Sequence, residues 1–256
     1  MKLSKKEIKQ YLQRINFDQP IDLNIDCLSQ LQAHHLLAVP FENLDIHNNH
    51  SISLEPNSIF NKIVVAKRGG FCYELNGSFG SLLNAIGFEV NMVSAQVYSE
   101  DTNIYSPEYD HLALIVEIDQ FKYIVDVGFG EFAFHPIQLE TDQIYIDPHG
   151  SYRVQAIDKA FYRVDQLKDD RLIPQYKFSL KNRELDEFGP RCTFHQTDPQ
   201  SHFMKKAMIS IPTINGRVTL SSDALKIKKK GLISEHEIVN QQGFDEALKE
   251  YFDIEL

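Results

Sequence analysis

Three side chains with complementary chemistry, a thiol, an imidazole and a carboxylate, occur at Cys72, His111 and Asp126. Cys72 follows the glycine pair Gly69-Gly70 and begins a stretch whose apolar residues recur at helical spacing. A thiol in the first turn of a helix faces unpaired amide groups and the positive end of the helix dipole, and both favour the thiolate. We therefore interpret Cys72 as a candidate nucleophile; the alternative is a small buried apolar residue.

A thiolate nucleophile needs a base, and the base needs a group that orients it. His111 opens the first of two strand-like segments, which Asp119-Gln120 separates as a turn. With a two-residue turn, His111 and Asp126 lie on one face of the hairpin as diagonal neighbours within reach of each other, whereas a three-residue turn would separate them. The alternatives are a solvated histidine at a loop end and an aspartate that caps a local turn.

The elements that must position these residues change in type along the chain. A capping box at Ser4 and Glu7 starts a helical first third, and strand-like segments follow Gly87. Asn215-Gly216 indicates a hairpin turn, and 39–45 is expected to be a packed loop. The expected helices are 4–15, 26–38, 57–67, 72–86 and 242–252, and the expected strands are 88–98, 111–118, 121–127, 208–214 and 217–220.

Composition narrows the class of protein. The chain has 256 residues, of which 43% are hydrophobic and 24% charged, and its net charge is −10. An acidic chain is not expected to bind nucleic acid through phosphates, and no apolar run is long enough to cross a membrane. Three cysteines without paired spacing, and no secretory signal at the start, indicate a reducing cytoplasm. No Cys or His spacing predicts a metal site.

Four segments together resemble a known family. Arg68-Gly-Gly-Phe-Cys72, Asp110-His111 and Asp126-Val-Gly-Phe-Gly130 are similar to segments of the arylamine N-acetyltransferases, and so is Val39-Pro-Phe-Glu-Asn-Leu-Asp45. The resemblance is strong from His34 to Gly130 and weaker towards the C-terminus. The combination is specific, although the glycine pairs alone would be a weak signal.

The resemblance implies an α+β, cysteine-protease-like fold. A helical bundle over 1–85 would carry Cys72, a β-barrel over 86–190 would carry His111 and Asp126, and an α/β lid would cover 191–256. It also implies transfer of an acetyl group from acetyl-CoA, as co-substrate and without a metal, to an arylamine, arylhydroxylamine or hydrazine through acetyl-Cys72. The oligomeric state is left open.

Substrate-binding residues are predicted less directly. The resemblance implies that Phe129 lines the acceptor pocket and offers Phe41 as a second lining residue; ordinary packing is the alternative for both. Gly128 and Gly130 are expected to permit close backbone approach beside the triad. Arg68 is expected to form a structural ion pair with Glu42 or Glu74, or else to neutralise CoA phosphates.

The residues that bind CoA are not assigned from the sequence. The lysine run 226–230 could meet a phosphate, but a solvated turn is the commoner meaning of such a run.

Two other classes of protein fit the same residues. A thiol hydrolase, either a protease or a transglutaminase-like enzyme, would use the same triad on the same scaffold. A non-enzymatic binding module would keep the fold without the chemistry, and the intact set of Cys72, His111 and Asp126 argues against it.

Overall fold

A computed structural model describes residues 3–139 and 143–256 of the chain. Helices dominate the first third, a large antiparallel sheet the middle, and a second sheet with one long helix the end. The helices are α1 Lys5–Arg14, α2 Ile25–Ala38, α3 Leu44–His47, α4 Pro56–Phe60, α5 Cys72–Ile86, α6 Gly189–Thr197, α7 His202–Lys205 and α8 Gln241–Phe252. A π-helical turn, Asn61–Val65, continues α4, and a 3-10 turn, Leu185–Phe188, precedes α6.

The fourteen strands in the described residues form two sheets. They are β1 Phe41–Glu42, β2 Glu89–Ser99, β3 Ile104–Tyr105, β4 His111–Ile118, β5 Phe121–Val125, β6 Ile137–Gln138, β7 Tyr145–Asp147, β8 Gly150–Ala156, β9 Phe161–Lys168, β10 Arg171–Ser179, β11 Met208–Thr213, β12 Gly216–Ser221, β13 Ala224–Lys229 and β14 Leu232–Glu237.

Local sequence signals set the helices that begin the fold. The amide of Glu7 donates to Ser4 Oγ, and the Ser4 amide donates to the Glu7 carboxylate, so the predicted capping box is confirmed. Helix α5 ends at Gly87, which takes a left-handed φ of 113° as a helix C-terminus often requires. This helix packs against β2 and β4, which brings its first turn to the sheet.

The larger sheet has the order β6-β5-β4-β2-β10-β9-β8-β7, with β3 paired to β2. Its two end regions approach each other where β6 contacts β8, so the sheet curls into a nearly closed barrel. The β4–β5 register pairs Ile118 with Phe121 across Asp119-Gln120, and both turn residues have positive φ. The predicted two-residue hairpin is therefore confirmed.

The smaller sheet has the order β1-β11-β12-β13-β14. One of its faces packs Val218, Leu220 and Leu225 with Phe244 and other side chains of α8. The expectation that 226–230 forms a solvated turn is wrong, because β13 runs to Lys229 and the turn is Lys230-Gly231. Leucine and isoleucine alternate with lysine in β13, so one face of the strand is apolar although the run is basic.

The edge strand β1 joins the first part of the chain to this C-terminal sheet. Phe41 pairs with Ser210, and the buried Asn43 fixes the junction: its Oδ1 accepts from the Met208 amide at 2.7 Å, and its Nδ2 donates to the Phe203 and Lys206 carbonyls. The expectation of a loop over 39–45 is thus wrong in part, because the segment contains β1 and the start of α3. Its partners lie far away in the sequence, so no local pattern predicts them.

Three apolar clusters fill the molecule, one under the helices, one inside the barrel and one between the smaller sheet and α8. The division at residues 85 and 190 stays a prediction. Within the described ranges, no helix has the length and apolarity that a membrane span requires.

Candidate active site

Cys72 is the first residue of α5 and is only 4% exposed. The glycines before it allow close packing: a Cβ on Gly69 would lie 2.1 Å from the Pro40 carbonyl oxygen, and one on Gly70 would lie 2.7 Å from Glu74 Oε2. Neither glycine has a left-handed φ. Cys72 therefore lies buried behind a closely packed segment, and it lines a cavity.

His111 and Asp126 lie together as the hairpin register predicts. His111 is the first residue of β4, Asp126 directly follows β5, and His111 Nε2 is 2.7 Å from Asp126 Oδ2. Both residues are buried, and Asp126 is 0% exposed. Because Nε2 holds the proton shared with the carboxylate, Nδ1 is the ring nitrogen left to accept another proton.

Asp126 both orients the imidazole and caps a turn. Its Oδ1 accepts from the amides of Gly128 at 2.9 Å and Phe129 at 3.0 Å, and its Oδ2 also accepts from the Tyr176 hydroxyl at 3.0 Å. This turn ends the strand at Val125, two residues before the predicted end. The orienting and capping interpretations of the aspartate, set out above as alternatives, are thus both present in one side chain.

Asn76 links the helix to the hairpin. It lies one turn after Cys72 on α5, donates from Nδ2 to the Leu112 carbonyl at 2.6 Å and to Asp126 Oδ1 at 2.9 Å, and accepts from the Val127 amide at 2.9 Å. Sequence reasoning missed this residue. The signal was an amide four positions after the cysteine, which places it on the same helical face within an apolar stretch.

The carboxylate stays ionised although it is fully buried. Burial opposes ionisation, but attraction to His111 and hydrogen bonds from His111, Asn76 and the Gly128 amide outweigh it, so the pKa of Asp126 is lowered. An ionised Asp126 can therefore stabilise a positive charge on His111.

Gly128 brings the turn against the cysteine. A Cβ there would lie 2.7 Å from Cys72 Cα and 2.8 Å from Asn76 Nδ2, so only glycine allows this approach. The corresponding expectation for Gly130 is wrong, because nothing lies within 4 Å of a Cβ at that position.

Burial raises the pKa of the Cys72 thiol well above its usual value. The charges of Asp110 and Asp126 raise it further, and a backbone hydrogen bond from Leu112 lowers it. The favourable effect expected from the helix N-terminus is thus outweighed by burial. A thiolate at this position requires a nearby cation, and a protonated His111 would be one.

A cavity of about 420 Å³ opens over these groups. Cys72, His111 and Gly128 line it, and so do Phe41 and Phe129, both predicted from the resemblance. The Phe129 ring also packs against the rings of His111 and Tyr176, with centroids 5.2 and 5.0 Å away. Side chains that the sequence analysis did not select also line the cavity, namely His195, His202, Phe203, Met208, Ser210, Arg217 and Thr219.

Asp110 and His195 form a second acid–imidazole pair at the cavity. Asp110 Oδ1 lies 3.1 Å from His195 Nε2 and also pairs with Arg191. Burial opposes ionisation, but hydrogen bonds from His195 and Arg191 bring the pKa of Asp110 to about 2. His195 Nδ1 also lies 3.2 Å from Ser201 Oγ, and the pair connects α6 to the start of β4.

Arg68 belongs to a buried ionic cluster behind the helix. It pairs with Glu42 at 2.7 Å and with Asp45 at 3.0 Å. Glu42 is one of the two partners expected from the sequence. Glu74, the other expected partner, pairs instead with Lys62 at 3.0 Å and accepts from the Phe71 amide. The cluster therefore holds the glycine loop against α5 and leaves no free guanidinium there for a phosphate.

Taken together, the geometry brings a thiol, an imidazole and an ionised carboxylate together at a mainly apolar cavity. This is the arrangement that covalent acyl transfer or acyl hydrolysis through a thiol requires. Over residues 3–139 and 143–256, no group of three or more His, Cys, Asp or Glu side chains is placed to hold a metal ion.

Comparison with known proteins gives one consistent family. A family model described as N-acetyltransferase matches residues 24–256. Arylamine N-acetyltransferase 1 of Homo sapiens is 30% identical over 275 aligned positions, which cover 98% of this chain and 94% of that protein.

Solved structures agree in fold. The arylamine N-acetyltransferase of Mycobacterium marinum is 28% identical, with a TM-score of 0.88 over 96% of this chain and 92% of that one. An arylamine N-acetyltransferase of Bacillus cereus, 24% identical, has a TM-score of 0.91 over 99% of this chain and 100% of that chain. The latter protein has a Cys-His-Glu catalytic triad, whereas here the carboxylate beside the imidazole is Asp126.

Proposed function

Because the chain belongs to the arylamine N-acetyltransferase family and is an acyltransferase enzyme, we propose that Cys72, His111 and Asp126 are its catalytic residues. In this proposal, an acetyl group passes from acetyl-CoA to Cys72 and then to a primary arylamine, arylhydroxylamine or hydrazine. The observation that carries the proposal is the buried His111–Asp126 pair at 2.7 Å beside a thiol at the start of a helix.

In the first half-reaction, the Cys72 thiol gives its proton to His111 Nδ1. The thiolate attacks the thioester carbonyl carbon, and the tetrahedral intermediate collapses with cleavage of the bond to the CoA sulfur. The CoA thiolate then takes the proton from His111. Asp126 stabilises the imidazolium while it exists and keeps Nε2 protonated.

In the second half-reaction, the acceptor nitrogen attacks the carbonyl carbon of acetyl-Cys72. The carbon–sulfur bond breaks, and the nitrogen loses one proton, which His111 relays to the Cys72 thiolate. The first half-reaction exchanges the acetyl-CoA thioester for the acetyl-Cys72 thioester, and the second converts the latter into an amide. The Cys72 thiol is thereby regenerated without another reactant.

The cavity supports small substrates. Phe41 and Phe129 offer aromatic faces to a planar acceptor, and Met208 and Thr219 of the smaller sheet complete the wall, which supports the lid role predicted for 191–256. A peptide hydrolase needs an open groove for an extended chain, whereas Cys72 is 4% exposed beneath an apolar cavity of about 420 Å³. Acyl transfer between small molecules is therefore favoured over proteolysis.

The test is the intact-protein mass after brief mixing with acetyl-CoA in the absence of amine. A gain of about 42 Da that maps to Cys72 and disappears when an arylamine is added is the expected result. Cys72→Ala should abolish the gain without unfolding the protein. The matched control is Cys192→Ala, because that thiol accepts from Gln196 Nε2 at 3.1 Å, does not line the cavity and should carry no acetyl group.

A gain that Cys72→Ala retains would refute the assigned nucleophile. No gain at all in the folded wild-type protein, together with turnover of thioester or peptide substrates, would support the thiol hydrolase.

A further inference from the structure

A second cavity, of about 390 Å³, adjoins the one above Cys72. The two cavities share Glu131 and Arg217 in their walls, so they lie side by side. The cations of the second cavity are Arg217, Lys228 and Lys230. They concentrate positive charge in one place on a chain whose net charge is −10.

The smaller sheet explains why these cations face the second cavity. Its apolar face is occupied by α8, so alternate residues on the strands project to the opposite side. The β12–β13 register pairs Arg217 directly with Lys228. Like charges directly opposite each other on neighbouring strands repel, and an anion bound between them would remove that cost.

Arg217 carries a half-buried positive charge that has no close anionic partner among the described residues. It is half-buried, and its Nη1 donates to Ser210 Oγ at 3.0 Å. No carboxylate of the described residues lies within 4.0 Å of its guanidinium. Burial lowers the pKa of Arg217, which expresses the cost of holding this charge without a close anion.

The lysines of the run 226–230 differ in whether they have a carboxylate partner. Lys226 pairs with Glu235 at 3.2 Å. Lys228 and Lys230 are exposed at the cavity and, within the part of the chain that the structure describes, have no carboxylate partner. Of the four lysines in the run, Lys226 is therefore paired within the sheet, and Lys228 and Lys230 are the two that line the cavity and are free to bind a ligand.

We propose that the second cavity binds the phosphates of the acyl donor, through Arg217, Lys228 and Lys230, while its thioester reaches Cys72 through the shared wall. This inference rests on the proposed function. The adenosine end of CoA carries three phosphate groups and about four negative charges at neutral pH. Its pantetheine arm is uncharged, which suits the junction where the exposed carboxylate of Glu131 would repel a phosphate.

The first measurement is calorimetric binding of free CoA, which requires no turnover. Arg217→Gln should weaken binding about tenfold, since it removes a half-buried charge-assisted contact, and Lys228→Gln about threefold, since that side chain is exposed. Lys226→Gln is the matched control on the same strand and should bind CoA as the wild type does. Lys228→Gln/Lys230→Gln, with both changes at exposed positions, keeps the test available if Arg217→Gln unfolds.

The second measurement compares two donors, acetyl-CoA and S-acetyl-pantetheine, which lacks the adenosine phosphates. The ratio of their rates of Cys72 acetylation should fall about tenfold in Arg217→Gln and stay at the wild-type value in Lys226→Gln. CoA affinity and donor ratio that both stay at wild-type values in the lysine and arginine variants would overturn the proposal. So would retained CoA affinity with a raised KM for a carboxylate-bearing arylamine, because the cations would then bind the acceptor.

Failure of the proposed function gives a different result. In that case wild-type Cys72 gains no acetyl group from either donor, whatever the affinity for CoA.

Discussion

Gly128→Ala tests whether the approach of the hairpin to the helix positions the reacting groups. The added Cβ would lie 2.7 Å from Cys72 Cα and 2.8 Å from Asn76 Nδ2. To reach an ordinary contact of 3.4 Å, the turn that carries Asp126 must retreat from α5 by about 0.7 Å. Overpacking of this kind costs about 2 kcal/mol, which lowers the melting temperature of a chain of this size by roughly 4–8 °C.

The effect on chemistry should exceed the effect on stability. A displacement near 1 Å between reacting groups reduces rates by up to about a hundredfold, so we expect acetylation of Cys72 to slow by roughly ten- to a hundredfold at a temperature where the variant is folded. The assay is rapid-quench mass spectrometry with acetyl-CoA, combined with thermal unfolding.

Gly130→Ala is the control for Gly128→Ala, because a Cβ there meets nothing within 4 Å. It should keep the wild-type melting temperature. The positioning argument is refuted if Gly128→Ala acetylates Cys72 at the wild-type rate.

Three further substitutions test the groups around the thiol. Asp126→Asn should reduce acetyl transfer about 10⁴-fold in steady-state assays by misorienting His111, and unchanged kinetics would exclude the triad. Asn76→Ala leaves a buried carbonyl and a buried amide unpaired and should lower the free energy of unfolding in urea by about 2–4 kcal/mol, while the exposed Asn84→Ala changes it by less than about 0.5 kcal/mol. Burial raises the pKa of Glu74 from 4.5 to about 7, so the folded state retains a proton that the unfolded chain releases, and stability falls as pH rises through that window. Glu74→Gln should remove this decline, up to about 3 kcal/mol between pH 5 and 8 in denaturant titrations, and an identical pH profile would contradict the assigned shift.

Features that depend on neighbouring residues were predictable from the sequence. The Ser4 cap, the helix from Cys72 to Gly87 and the two-residue hairpin turn each rest on residues within one or two turns of each other. The hairpin register then fixed the proximity of His111 and Asp126, because side-chain direction alternates strictly along a strand.

Features that depend on distant residues were not predictable in this way. Asn76 finds its partners 36 and 51 positions away, and Phe41 pairs with a strand that comes after the whole barrel. The depth at which Cys72 lies also results from packing by several segments, which is why the predicted lowering of its pKa failed. The lysine run 226–230 was wrongly expected to be a turn, because its many charges obscured the alternation of apolar and basic residues that is typical of a strand.

The Asn43 junction has a consequence for the order of events on the ribosome. Asn43 accepts a hydrogen bond from the amide of Met208, which lies 165 positions later in the chain. At synthesis rates of about 5–20 residues per second, the edge of β1 therefore waits roughly ten to thirty seconds for its partner strand. Until then the cavity lacks Met208 and Ser210 from its wall, so a nascent chain cannot complete its substrate cavity before these residues have been synthesised.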